Sequence, residues 1–149
     1  MGASRGKVRP PPSRQRRSGR HRAVAAASIR IVSSSSRPRY LAPDLVFVRR
    51  ERRGIVSERG IEAAPDLVVE VLSPSTAKRD RALKRDRYFH FGVPEYWILD
   101  AEAGEVVVHR IGGNLERPEV HRDVLRWRPW PGAPELHLGV PEILRGLDD

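Results

Sequence analysis

The chain of 149 residues contains no cysteine. Disulfides, thiolate zinc sites and a catalytic thiol are excluded, and any metal must sit on oxygen or imidazole ligands. No apolar run approaches the roughly 20 residues of a membrane span. The longest in the amino-terminal part, Ala23 to Ala27, is too short even for a secretory hydrophobic region. These absences predict a soluble, cytoplasmic protein with no membrane partner. The five histidines, His21, His90, His109, His121 and His137, have neither zinc-protease nor paired-ligand spacing, which argues against zinc. Neither a repeat of about 20–50 residues nor a signature for base readout is present.

Acidic residues are missing from residues 1–39, which hold 11 Lys and Arg. The net charge of +9 therefore belongs to that segment, and residues 40–149, with 17 basic and 19 acidic groups, carry −2. The segment also lacks all nine aromatics and contains the Pro10 to Pro12 and Ser33 to Ser36 runs. So little apolar surface does not offset the entropy of ordering a chain. The expectation is a basic, disordered segment over 1–39, with at most a short helix near Ala23 to Ala27, ahead of one domain over 40–149. Three roles compete for it: a salt-dependent arm on nucleic-acid phosphates, an organelle transit peptide, or no evolved role.

From Tyr40 onward periodic patterns begin, and 39% hydrophobic residues suffice for one modest core. Asp44 to Arg49 and Asp66 to Leu72 read as buried strands, the second nearly continuous in β-branched residues. Ser73 to Thr76 supply hydroxyls able to cap a helix predicted from Ala77 to Phe91, ending at Gly92. Glu95 to Leu99 and Glu105 to His109 form a hairpin. Residues 50–64 and 112–134 read as connections, followed by a short strand at 135–138 and a helix from Pro141. This order predicts an α/β fold, a mixed sheet flanked by helices.

Two phrases stand out, Pro43-Asp44-Leu-Val-Phe-Val48 and Pro65-Asp66-Leu-Val-Val-Glu70-Val-Leu72. A carboxylate inside an apolar strand is costly unless paired, hydrogen-bonded or bound to a cation. Asp44 and Glu70 on neighbouring strands would form an oxygen pair suited to Mg²⁺. On the following helix Asp80, Lys84, Tyr88 and Phe91 fall on one face, and Lys84 can approach Glu70. The plainer readings are that Asp44 and Asp66 cap loop amides, that Glu70 pairs with Lys84 or an arginine, and that Lys78 to Arg81 form a solvated face. For Asp66 the capping reading is preferred. Tyr88, Tyr96 and Trp97 read as core.

The run Ala64-Pro-Asp-Leu-Val-Val-Glu-Val-Leu-Ser-Pro-Ser-Thr76, followed by Asp80, Lys84, Tyr88 and Gly92-Val-Pro-Glu-Tyr-Trp-Ile-Leu-Asp100, resembles the Uma-like putative restriction endonuclease family of the PD-(D/E)xK superfamily over about residues 41–146. The resemblance implies a restriction-endonuclease-like core and Mg²⁺- or Mn²⁺-dependent hydrolysis of DNA. Asp44 and Glu70 would be the motif acids and metal ligands, with the Val71 backbone carbonyl as a third ligand. The motif lysine position is Leu72, so the catalytic ammonium is expected from Lys84, with Lys78 the poorer choice. Asp66, Asp80 and Tyr88 are accessory candidates. The family's first helix and hairpin have no counterpart in residues 1–39 on this reading, which suggests an out-of-frame or replaced amino terminus. The competing functional class is an inactive nuclease fold that binds nucleic acid or acts as an interaction module; a truncated product is a third. A homodimer stays open beside a monomer.

Overall fold

The computed structural model describes residues 23–25, 29–31, 39–72 and 78–147, with side chains described within 41–72 and 81–147. Its centre is the apolar segment around Glu70. Strand β7 (Leu67–Val71) lies between β4 (Leu45–Phe47) and β8 (Glu95–Asp100). β4 pairs antiparallel with it, Leu45 opposite Val69, and β8 pairs parallel, Glu70 opposite Ile98. A parallel pair needs a crossover, and helix α1 (Lys78–Phe91) supplies it. β8 then turns into β9 (Glu105–Arg110) as an antiparallel hairpin.

The six-stranded sheet is completed by β1 (Ala23–Ala25) beside β4 and β10 (Glu119–His121) beside β9. A second sheet, in the order β3-β2-β6-β5, joins β2 (Ile29–Ile31), β3 (Arg39–Leu41), β5 (Val56–Ser57) and β6 (Gly60–Ile61). Strands β11 (Val124–Trp127) and β12 (Leu136–Gly139) pair as a hairpin, followed by helix α2 (Val140–Arg145). The α/β class and the central strand, helix and hairpin agree with the sequence reading. Three segments differ: within 1–39, Ala23–Ala25 and Ile29–Ile31 are strands where disorder with at most a short helix near Ala23 to Ala27 was expected, the connection 50–64 holds a 3₁₀ helix (Arg50–Ile55) and two strands, and 112–134 holds β10 and β11. Ordered pairing thus lies on both sides of the Tyr40 boundary read from composition.

Side chains alternate across a strand, and that parity sorts the core. Phe47, Leu67, Val69, Trp97, Leu99, Val106 and Val108 face one cluster, closed by Leu125, Trp127 and α2. Val46, Val48, Val68, Tyr96 and Ile98 face the other, with Tyr88 and Val93 from the α1 side. Glu70 has the parity of Val68, so it points to the α1 side with the second cluster.

Helix α1 contains no Gly, Pro or β-branched residue, and its Ala, Leu, Lys and Arg residues are strong helix formers. It ends in a Schellman arrangement: Val93 N–H donates to Tyr88 O and Gly92 N–H to Phe89 O, both at 3.0 Å. Gly92 takes φ +94°, and a Cβ there would meet the Ala64 Cβ at an ordinary 3.7 Å. The penalty for a side chain is therefore in the backbone. Gly92→Ala is expected to lower stability by about 1–2 kcal/mol, seen as a lower urea midpoint at unchanged slope; an unchanged midpoint would contradict the strain argument.

Candidate active site

At the carboxyl end of β7 the α1-facing side of the sheet opens into a cavity of about 390 Å³. Its walls carry Asp44, Glu70, Val71, Leu72, Arg81 and Lys84, with Tyr96 and Ile98 beneath. Asp44 follows Pro43, which has no N–H, at the mouth of β4. Its carboxylate continues the pairing in place of backbone, as Oδ2 accepts the Val71 N–H at 2.7 Å. This bond ties the exposed Asp44 to the residue next to Glu70.

Glu70 is 8% exposed. Both its oxygens have donors: Tyr88 Oη–H at 2.7 Å on Oε1 and Lys84 Nζ at 3.2 Å on Oε2. Tyr88 and Lys84 are four residues apart on α1 and so share one helix face. Burial, and then the negative charge and hydrogen bond of Glu70, push the Tyr88 phenol far above its usual value. It remains a donor at all working pH.

The structure thus brings Asp44, Glu70, Val71 and Lys84 to one cavity. The backbone of Asp80 and Lys78 lies in α1, but their side chains fall outside the described residues, as does the capping run Ser73 to Thr76. Asp66 is not part of the cavity lining. It accepts the Arg49 N–H at 2.8 Å, the amide capping preferred from sequence, and also Arg49 Nε at 2.9 Å and Arg52 Nη1 at 2.7 Å, which that reading did not include.

Two residues were overlooked. Arg81, read as part of a solvated face, lines the cavity, and its Nε is buried without a partner among the described residues. The signal was present: Arg81, Lys84, Arg85 and Tyr88 fall at i, i+3, i+4 and i+7, one helical stripe. His109, set aside for want of a ligand partner, is buried and stacks on Tyr96 with ring centroids 6.0 Å apart. Burial, and then the Arg85 charge, pull its pKa below the usual 6.5. The unfolded chain takes up that proton more readily than the native one, so stability present above 6.5 is lost as pH falls below it. Urea midpoints are expected to decline between about pH 7 and 5 and to decline less in His109→Phe; parallel curves for both proteins would rule this out.

Among the described residues no group of three or more His, Cys, Asp or Glu side chains gathers as a metal site. The donor set at the cavity is smaller, two carboxylates and the Val71 backbone, but all its donors are hard oxygens. Each carboxylate oxygen has two lone pairs, so one hydrogen bond apiece leaves capacity for a cation. A Mg²⁺ with few protein ligands, completed by water and substrate oxygens, fits such a set.

A mixed sheet crossed by a helix, with two carboxylates and two cationic groups round one cavity, makes this an α/β protein with one polar candidate site at the end of its central strands. The chain belongs to the Uma2 family, described as "Putative restriction endonuclease", which matches residues 12–141. The match begins ahead of Tyr40 and takes in β1 and β2, so residues 12–39 align with the family and not only the later domain. A solved structure described as a putative nuclease belonging to DUF820, from Anabaena variabilis ATCC 29413, is similar in fold. Its TM-score is 0.64 at 21% identity, covering 85% of this chain and 69% of that one. No curated protein matches. No helix among the described residues is long and apolar enough to cross a membrane.

Proposed function

We propose that this protein is an endonuclease of the cytoplasm that hydrolyses DNA phosphodiester bonds with a divalent metal, Mg²⁺ or Mn²⁺. The observation that carries the reading is the convergence of Asp44, Glu70, Val71 and Lys84 on one cavity. Asp44, Glu70 and the Val71 carbonyl would hold the metal, whose bound form supplies Lewis acidity toward the attacking water and the phosphate oxygens. Lys84 is the mobile cation: it exchanges its contact with Glu70 for a phosphate oxygen or the attacking water, where charge develops. Tyr88 keeps the Glu70 carboxylate oriented during that exchange.

The test is nicking of supercoiled plasmid. Mg²⁺ or Mn²⁺ should support it, EDTA should stop it, and excess metal should restore it. Lys84→Met should lower the rate about 100-fold. Nicking that survives EDTA overturns the metal dependence, and the ratio of nicked to linear product reads whether one chain or a homodimer cuts both strands. A second reading, a nuclease fold that binds nucleic acid without cutting it, draws on Leu72 at the motif lysine position and on the Glu70–Tyr88–Lys84 cluster, which satisfies its own hydrogen bonds. It predicts DNA binding in EDTA and no nicking at any metal concentration.

A further inference from the structure

Beside the candidate active site lies a second cavity of about 220 Å³, sharing Arg81 and Ile98 with the first. Its polar walls are Arg81 and Arg85 from α1, Asp100 and Glu105 flanking the β8–β9 turn, and His109 from β9. Three of these groups are occupied. Arg85 is held by Asp86 and reaches the Leu115 carbonyl; Glu105 accepts Arg122 at 2.6 Å; Asp100 accepts the Ala103 N–H at 2.9 Å. Two nitrogens, Arg81 Nε and His109 Nδ1, are buried with no hydrogen-bond partner among the described residues. His109 is only 8% exposed, so its ring is a deep part of the wall.

A buried nitrogen without a partner forfeits its hydration and receives nothing in return, and native proteins supply a partner for nearly all such groups. Arginine Nε only donates, and a neutral imidazole can carry its proton on Nδ1. An oxygen acceptor would satisfy both nitrogens, with the His109 proton placed on Nδ1. The formal charges of the lining cancel, Arg81 and Arg85 against Asp100 and Glu105, which disfavours a dianion such as a terminal phosphate. A group with a single negative charge and two exposed oxygens fits, and a phosphodiester is such a group.

We propose that the second cavity is a subsite for the backbone phosphodiester adjoining the one that is cut, with Arg81 spanning both cavities and His109 donating from Nδ1. That this phosphodiester adjoins the one that is cut rests on the nuclease reading; its binding in this cavity does not.

The experiment uses metal-free full-length protein with ¹⁵N-labelled histidine, titrated in EDTA with diethyl phosphate and separately with a short single-stranded DNA oligonucleotide. Both probes should move the His109 ring signal saturably. Arg81→Gln should abolish the response to diethyl phosphate and weaken oligonucleotide binding roughly tenfold, with dispersed signals from the other histidines confirming the fold. A His109 signal that stays put with both probes, or moves equally in Arg81→Gln, overturns the subsite. Movement with the oligonucleotide alone also overturns it, in favour of a contact to a base. Saturable movement with both probes in a protein that never nicks DNA supports the subsite and removes the nuclease reading; nicking without movement does the reverse.

Discussion

Glu70→Gln is expected to reduce metal-dependent plasmid nicking by about 10³-fold or more, while the protein stays folded with a stability change under about 2 kcal/mol. The substitution keeps the shape of the side chain and an oxygen for the Tyr88 hydroxyl, now 2.7 Å from Oε1. It removes the charge that a cation or the Lys84 ammonium would use. The Lys84 ammonium left without its partner is 31% exposed, so water replaces much of what the carboxylate supplied and the cost stays below that of breaking a fully buried pair. If Glu70 serves only as the partner of Lys84, the variant unfolds at nearly the wild-type urea concentration and nicks at the wild-type rate. Loss of nicking with retained folding separates the ligand role from that plainer one. Urea unfolding followed by circular dichroism, run beside the nicking assay, supplies both readouts. Equal nicking by the variant would remove this cavity as the catalytic centre.

Asp66→Ala is expected to do the opposite, costing about 3–5 kcal/mol of stability with no specific effect on catalysis. The Asp66 side chain is 7% exposed and takes three hydrogen bonds, one from a backbone amide and two from arginines about a third exposed. Its removal strands the Arg49 N–H and releases Arg52, whose Nη2 also holds the Ala64 carbonyl at 2.7 Å. The entry of the chain into β7 is thereby loosened. For a domain with a total stability of about 5–15 kcal/mol, this loss is large. Urea unfolding measures it, and a change below about 1 kcal/mol would show that the arginines are satisfied elsewhere. At temperatures where Asp66→Asn stays folded, its nicking rate should equal that of the wild type.

The contrast between these two acids shows how far the sequence could be read. Both belong to the one run that opens at Pro65-Asp66, and both are buried, at 8% for Glu70 and 9% for Asp66. Composition and periodicity mark each as costly but do not say what neutralises it. Strand 67–71 and helix 78–91 were legible because each local signal agrees: a β-branched run, the Ser73-Pro74 break in the sequence, a helix without β-branched residues, and Gly92 as terminator. The strands of two or three residues at 23–25, 56–57, 60–61 and 119–121 were not legible. A strand that short has little pattern of its own and is held by the partner it pairs with. Arg81 was misread for a related reason, since a charged helical residue looks the same in sequence whether its face meets solvent or a cavity wall.

The sequence by itself determined the order of the central elements, the burial of Glu70 in a strand, and the stripe on α1 that presents Lys84 and Tyr88 together. These are properties of spacing within one element, set by the periods of helix and strand. Only the tertiary structure decided the partners: Arg49 and Arg52 for Asp66, Tyr88 and Lys84 for Glu70, the Val71 amide for Asp44, and the second cavity that joins Arg81 to His109. Those contacts link residues 14–28 positions apart. Their distances follow from sheet register and helix packing, which no local period encodes.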